Sequence, residues 1–301
     1  MKTALTAPEK TATWDRESYV RKHRTKQTIQ NIVEQVVVRI FLIGMSLIFL
    51  IPLYWMFVTA LKPTDELSAF PPELWPHTVL WSNFIQAYNF IPFATYFFNS
   101  FMIALTAVIG TVLSNLLIGY GFSCINWPGR EKVFYLVLAT LFFPVPVALI
   151  PLFDMFAKLQ WVNTALPLVV PTFFGGAVNI FLFRQFMRQI PQELLDAARI
   201  DGASELQILW NVALPMCIPV IAVVAIFTAV SRWNDFTGPL IYIQNDAYRP
   251  LSVGLQFFRS THDVQFNLLM AAAFLTVLPL IIIFFAFQRL FIKGVTVGSI
   301  R

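Results

Sequence analysis

Six long apolar stretches constrain this chain more than any other feature of its sequence. Each is long enough to form a helix that crosses the ~30 Å hydrocarbon core of a bilayer, which takes about 20 apolar residues. Only 12% of the 301 residues are charged, about half the share found in a soluble domain. The sequence therefore predicts an all-α integral membrane protein with six transmembrane helices. The predicted spans are Val38–Leu61, Tyr96–Phe122, Val133–Phe153, Leu166–Phe183, Val212–Ser231 and Phe266–Phe291.

Positive charge is distributed unevenly between the two sides that six spans create. An even number of spans places both termini on one side, together with the loops near Arg130 and at residues 184–211. That side carries sixteen Lys and Arg, whereas the other side carries five. Cytoplasmic segments are enriched in Lys and Arg, so both termini are predicted to be cytoplasmic. The net charge of +5 follows from this asymmetry, and it does not indicate nucleic-acid binding.

Cysteine and histidine give no sign of a metal site or a disulfide framework. The chain has two Cys and three His, and they are too scattered to form a metal-ligand spacing or a set of bridges. The motif G-x-x-x-x-G-K-[ST] is absent from the sequence. The chain is therefore not expected to cradle nucleotide phosphates as P-loop proteins do. We expect no cofactor and no metal to be bound by this chain itself.

Prolines are clustered in two of the predicted spans. Pro144, Pro146 and Pro151 lie in the third span, and Pro167 and Pro171 lie in the fourth. Each proline removes a backbone donor and bends or breaks a helix. Two interpretations stay open at this point. Neighbouring helices can compensate for the lost hydrogen bonds, or the broken helices can line a polar pathway.

An aromatic pattern occurs in the external loop between the first two spans. Trp81, Phe84, Ile85 and Tyr88 fall at the spacing of one helical face. The pattern predicts a short amphipathic helix at the membrane interface, where aromatic residues are enriched.

The stretch QELLDAARIDGASELQILWNVALP, Gln192–Pro215, is polar and charged although it lies between two apolar spans. Pro191 fits the first position of a helix, where its missing N–H has no cost. Gly202 is suited to end that helix, because glycine adopts the left-handed conformation without steric strain. Ser204 and Gln207 have the spacing of a capping box. The sequence predicts two short cytoplasmic helices joined by a turn at Gly202.

The first of these two helices is predicted to have one apolar face. Ile190, Leu194, Ala197 and Ala198 share that face by helical spacing, and the two alanines permit the close approach of another backbone. One interpretation is an ordinary capped loop whose apolar face lies on the bilayer or on the chain's own bundle. The other is a docking element that inserts into a groove of a cytoplasmic protein.

Asp196-Ala197-Ala198 is followed by Gly202 and, after nine more residues, by Val212-x-Leu214-Pro215. This pattern resembles the EAA loop of permease subunits in binding-protein-dependent ABC importers, with aspartate in place of the usual glutamate. The likeness is to the carbohydrate-uptake permeases, and in topology to the second permease of the maltose-transporter type. Similar segments in the same order are NSF at Asn99–Phe101, WPGR at Trp127–Arg130, IPLFDMFAKLQWVNT from Ile150, WNDFTGPL at Trp233–Leu240 and the C-terminal KGVTVGSIR.

The resemblance implies the type I ABC importer permease fold and a division of the chain into three parts. Residues 1–37 would form a cytoplasmic N-terminal arm, residues 38–292 the transmembrane permease domain, and residues 293–301 a cytoplasmic tail. Within the permease domain, residues 186–215 would form a coupling loop that rests in a groove of a separate ATP-binding subunit.

The family's coupling role is carried over to nine residues of that loop. Asp196 is expected to pair with a basic group on the ATPase, Ala197 and Ala198 to pack closely against it, and Gly202 to form the turn. The full set is Glu193, Asp196, Ala197, Ala198, Arg199, Asp201, Gly202, Leu214 and Pro215.

The function implied by the resemblance is that of a translocation subunit, which is not itself an enzyme, in an ATP-driven oligosaccharide or disaccharide importer. The expected location is the prokaryotic plasma (inner) membrane, in contact with lipid. The expected protein partners are a dimer of ATP-binding cassette subunits, which would hold ATP and Mg²⁺, a second permease subunit and an extracytoplasmic solute-binding protein. No nucleic acid is expected as a partner.

Asn115 and Asn179 are the candidates for contact with substrate, because amides inside spans can bond to sugar hydroxyls. Either could instead make an interhelical hydrogen bond. A glycerophosphate-type or other polyol solute is the alternative substrate. The alternative class is a secondary transporter, which usually carries ionisable residues within its spans. The central parts of the predicted spans show no such residue that can be placed.

Overall fold

A computed structural model of the chain describes residues 13–259 and 265–297, and the regular secondary structure of these residues is helical. They divide into two units, one ending at Trp55 and the other beginning at Met56. The α-helices are α1 Thr13–Leu61, α2 Ser82–Phe90, α3 Phe93–Ser123, α4 Arg130–Ala139, α5 Val145–Lys158, α6 Leu166–Val169, α7 Ala177–Met187, α8 Gln192–Ile200, α9 Glu205–Ile208, α10 Leu214–Trp233, α11 Thr237–Tyr242, α12 Leu251–Gly254 and α13 Phe266–Val297.

The first unit contains most of α1. This helix runs without a break from Thr13, so no change of secondary structure marks the predicted boundary between arm and span at residue 38. The part apolar enough to cross a membrane is Val33–Leu61. Its side chains from Val33 to Leu50 are almost all exposed, as expected for a surface that meets lipid or another subunit.

The number of membrane spans agrees with the prediction once one broken helix is counted as a single span. In the part of the chain that the structure describes, five helical segments are long and apolar enough to cross a bilayer, and the pair Arg130–Phe142 and Pro146–Lys158 forms a sixth, bent by 101°. The prediction of one helix over Val133–Phe153 is therefore wrong in detail. Pro144 and Pro146 lie at the bend, where the missing backbone donors favour a break.

The fourth span is also interrupted. Helix α6 is followed by a 3-10 turn at Val170–Phe174 and by Gly175 at φ 84°, and α7 begins only after them. The span ends at Met187, four residues beyond its predicted end. The fifth span begins at Glu205 instead of Val212, because α9, a π-helical turn at Leu209–Ala213 and α10 follow one another without a gap.

Helix α3 has a large share of the buried residues of the second unit, and it packs closely on α7. A Cβ atom at Gly119 would come within 2.6 Å of Phe183 Cβ, so only glycine permits this approach. Towards the cytoplasmic end, Leu116 and Tyr120 of α3 join one buried core with Met187 of α7.

The external helix predicted from the aromatic pattern is confirmed as α2. Of the predicted face, Trp81, Ile85 and Tyr88 are 62%, 66% and 46% exposed, whereas Phe84 packs on the buried core. Asn83 points inwards, and its amide donates hydrogen bonds to the backbone carbonyls of Ala60 and Lys62 at 2.9 and 3.0 Å.

Candidate functional site

The cytoplasmic loop forms the predicted helix–turn–helix from α8 and α9. Gly202 has φ 81°, and its N–H donates to Arg199 O at 3.1 Å. The capping box is also confirmed, because Gln207 N donates to Ser204 Oγ and Ser204 N donates to Gln207 Oε1. Pro191 is one position earlier than predicted, since α8 begins at Gln192. The turn therefore has satisfied backbone groups and a defined geometry.

The predicted apolar face of α8 is divided between the bundle and the exposed side of the loop. Leu195 is 1% exposed and belongs to the same buried core as Tyr120 and Met187. Leu194, which was assigned to the apolar face, is 47% exposed. The prediction used helical spacing alone, and this spacing cannot tell which of two adjacent leucines faces the rest of the protein. Ile190 and Ala198 face inwards.

The opposite face of the loop is apolar and exposed. Leu194 and Ala197 are exposed, and Ile200 and Leu206 are 86% and 62% exposed. The carboxylates of Glu193, Asp196 and Asp201 belong to exposed residues spread along α8 and its C-cap. We call Leu194, Ala197, Ile200 and Leu206 the exposed loop surface. Apolar side chains bordered by charges are typical of a surface that binds another protein.

Arg199 connects the loop to itself and to α3. Its Nη1 donates to Asp196 Oδ1, its Nε to Glu205 Oε1 and its Nη2 to the carbonyl of Cys124, each at 2.9 Å. Tyr120 donates its hydroxyl to the other oxygen of Glu205 at 2.6 Å. The pKa of Arg199 is raised above its ordinary value, chiefly by the hydrogen bond to Glu205, so this side chain is a permanent cation.

Leu214 and Pro215 lie where the loop meets the fifth span. Leu214 is half-buried and begins α10, and Pro215 follows it, so that Pro215 has no N–H to donate to the preceding π-helical turn. Both positions are separated from the exposed loop surface by the π-helical turn.

A second charged cluster lies beside the loop, and the sequence analysis did not single it out. Arg184, at the end of α7, has a side chain only 4% exposed and donates two hydrogen bonds to Glu131, at 2.5 and 2.7 Å. Its Cζ also lies 3.9 Å from the centre of the Phe134 ring. An arginine at the end of an otherwise apolar span was the available signal.

The two candidate pathway residues have different surroundings. Asn115 is 1% exposed, donates to Thr111 O at 2.6 Å and accepts from Gly176 N at 2.8 Å. It therefore joins the second span to the break in the fourth, as the interhelical alternative describes. Asn179 is half-buried in the first turn of α7. Contact of either residue with substrate stays a prediction.

Within residues 13–259 and 265–297, no group of three or more His, Cys, Asp or Glu is placed to hold a metal ion. The loop itself presents the exposed loop surface and a network of charged side chains.

With up to six membrane spans within residues 13–259 and 265–297, the chain is a polytopic membrane protein. Residues 108–297 match the family described as binding-protein-dependent transport system inner membrane component, and the chain belongs to this family. It is therefore a multi-pass membrane permease of the ABC type, whose ATP hydrolysis occurs on a separate subunit.

Curated relatives cover most of the chain. The arabinooligosaccharides transport system permease protein of Halalkalibacterium halodurans is 32% identical, over 85% of this chain and 92% of that protein. The sulfoquinovosyl glycerol transport system permease protein of Agrobacterium fabrum is 30% identical, over 84% and 89%. The sn-glycerol-3-phosphate transport system permease protein of Yersinia pestis is 31% identical, over 85% and 93%.

A solved structure shows the same fold. It is a chain in the crystal structure of a bacterial ABC transporter involved in the import of the acidic polysaccharide alginate, with a TM-score of 0.74 and 23% identity. The match covers 88% of this chain and 97% of that chain. The type I importer permease fold is thus confirmed.

Proposed function

We propose that this chain is the membrane-spanning translocation subunit of an ATP-driven sugar importer in the prokaryotic inner membrane. Its proposed substrate is an oligosaccharide or disaccharide, since the arabinooligosaccharide permease is among its relatives. A glycerophosphate solute is the second candidate, because the sn-glycerol-3-phosphate permease is similar at almost the same identity.

The exposed loop surface is the observation that carries the proposal. Ile200 and Leu206 are largely exposed on a loop whose turn is otherwise fully hydrogen-bonded. Burial of a large apolar side chain that is exposed to water is favourable by about 25 cal/mol per Å² of apolar surface. A groove in a cytoplasmic ATP-binding subunit would cover this surface. Of the nine coupling residues, the exposed Glu193, Asp196, Ala197, Asp201 and Gly202 would lie in or beside the contact. Ala198 and Arg199 face the bundle, and Leu214 and Pro215 lie beyond the π-helical turn.

The proposed assembly contains a dimer of ATP-binding cassette subunits that binds ATP and Mg²⁺, a second permease and an extracytoplasmic solute-binding protein. Closure of the ATPase dimer would favour one state of the spans over the other. A shift from 1:99 to 99:1 requires about 5.5 kcal/mol of differential binding. The backbone hydrogen bonds of the helix–turn–helix suit this task, because a loop without them would deform instead of transmitting the displacement of the ATPase to the spans.

The first experiment is affinity purification of the tagged chain from native membranes, with mass spectrometry of what accompanies it. We expect an ATP-binding subunit and a second permease.

The purified complex is then reconstituted with its binding protein, and ATP hydrolysis is measured with arabinotriose, sulfoquinovosyl glycerol or sn-glycerol 3-phosphate. Stimulation by arabinotriose supports the sugar importer, and stimulation by sn-glycerol 3-phosphate alone supports the second candidate. Recovery of this chain as a stable self-oligomer without an ATPase would contradict both.

A further inference from the structure

The cytoplasmic end of α3 is held by arginines from three different parts of the chain. The last carbonyl groups of a helix have no partner within the helix and carry partial negative charge, so cations there are favourable. One arginine comes from the start of the third span, one from the end of the fourth, and one from α8. The bonds are Arg130 Nη1 to Ser123 O at 3.4 Å, Arg184 Nε to Phe122 O at 3.1 Å and Arg199 Nη2 to Cys124 O at 2.9 Å.

Two of these arginines belong to the membrane bundle itself. Arg184 is almost completely buried, between Glu131 and the Phe134 ring. Arg130 bonds to the loop that directly precedes its own helix. Arg130 and Arg184 therefore join the third and fourth spans to α3. None of their hydrogen bonds given above is made with α8. Arg199 differs, because it lies on the coupling loop and reaches α3 from outside the bundle.

The position of Arg199 is set by groups on three sides. Asp196 lies one helical turn earlier on α8, Glu205 begins α9, and the Cys124 carbonyl closes α3. Glu205 is itself held by the hydroxyl of Tyr120, another residue of α3. The guanidinium therefore bridges both helices of the loop to the second span, partly through Glu205 and partly directly.

We propose that Arg199 is a positioning residue that makes the second span move together with the coupling loop. The proposal rests on the proposed function, since it assumes that an ATPase displaces α8. Leu195 also packs α8 against the bundle, but apolar contacts are non-directional, so a displaced loop can slide over them. Hydrogen bonds from one planar guanidinium to acceptors in three directions resist such sliding. Lysine has a single ammonium at the end of a flexible stem and does not reproduce that planar geometry.

The test measures whether α3 and α8 keep their separation when nucleotide binds. Spin labels are placed on Leu117→Cys of α3 and Gln192→Cys of α8, both exposed positions, whereas the native Cys124 and Cys217 are buried. Distances are recorded by pulsed EPR in the complete complex with its ATPase in lipid nanodiscs, first without nucleotide and then with ATP and vanadate.

We expect the same distance in both states for the parent complex, because the two helices move as one body. In Arg199→Met the distance should shift and broaden when ATP and vanadate are added, although the ATPase still co-purifies and the melting temperature is unchanged. Arg199→Lys should give a smaller shift. Arg188→Met removes the same charge from an exposed position just after α7 and should behave like the parent.

Two results would overturn the proposal. One is an unchanged distance in Arg199→Met with a bound and active ATPase, which would mean that packing alone joins the helices. The other is loss of the ATPase from Arg199→Met, which would make the residue a docking contact. Failure of the unsubstituted chain to bring down any ATPase is a separate result, since it would contradict the proposed function before Arg199 is tested.

Discussion

Glu131 receives both of its short hydrogen bonds, at 2.5 and 2.7 Å, from the same nitrogen of Arg184. The pair joins the first turn of the third span to the last turn of the fourth. Because the Arg184 side chain is buried, its charge depends on this carboxylate and on the Phe122 carbonyl for compensation. A buried charge that loses its partner is strongly destabilising.

Substitution of Arg184 should therefore lower the stability of the permease. Arg184→Ala removes the guanidinium and leaves the Phe122 carbonyl without that donor, a loss worth about 1–3 kcal/mol. We expect a lower melting temperature of the purified chain in detergent. Arg188→Ala, at an exposed position four residues later, is the matched control and should leave the melting temperature unchanged. Equal melting temperatures for both variants would show that the buried pair does not stabilise the fold.

The two adjacent leucines of α8 should have separate effects. Leu195→Ala empties a site that is 1% exposed and should cost about 2–5 kcal/mol of stability. Leu194→Ala changes an exposed position and should cost no more than about 0.5 kcal/mol, but it should reduce the amount of ATPase that co-purifies. Both quantities are measured on the same preparations. If Leu194→Ala retained the ATPase fully, the exposed loop surface would not be the docking surface.

Gly202 should tolerate substitution poorly because of its backbone conformation. No atom lies within 4 Å of a Cβ placed there, so the penalty comes from φ 81° alone. Alanine in this left-handed region costs about 1–2 kcal/mol, and proline cannot adopt it. We expect Gly202→Pro to insert into membranes normally and to lose ATPase association, with Gly202→Ala in between. Gly121→Ala, also in open space but inside α3, is the control and should retain the ATPase.

Substitution of Asn115 should affect the stability of the permease, whereas substitution of Asn179 should affect transport. Asn115→Ala leaves the Gly176 N–H without its acceptor in a buried site, a loss worth about 1–3 kcal/mol, and should lower the melting temperature. Asn179→Ala should leave stability nearly unchanged and reduce uptake if this amide meets substrate. Uptake of radiolabelled arabinotriose into proteoliposomes, compared at equal amounts of folded complex, provides the measurement. Full uptake by Asn179→Ala would remove that residue from the substrate pathway.

The helix–turn–helix was predictable in detail because the signals that form it are local. Glycine at position 202 and the Ser204–Gln207 pair act through atoms only a few residues apart, so their outcome depends little on the rest of the molecule. The six spans were predictable for a similar reason, since burial of backbone polar groups in lipid forces long apolar stretches into helices.

Other features of the fold and the loop could be determined only from contacts between distant parts of the folded chain. The third span breaks at Pro144 and Pro146 instead of bending smoothly, and the inward face of α8 carries Leu195. Tyr120 and Glu131 lie far from the loop in sequence, yet both belong to the charged clusters at its base.

The sequence by itself thus determined the class of protein, the membrane topology and the conformation of the coupling loop. These depend on apolar length, on the distribution of Lys and Arg, and on short-range capping. Tertiary structure alone decided which side chains of the loop are free for a partner and which hold the loop to the second span. Such choices depend on contacts between residues 75 to 85 positions apart, such as Arg199 with Cys124 and Tyr120 with Glu205, and helical periodicity carries no information about partners at that separation.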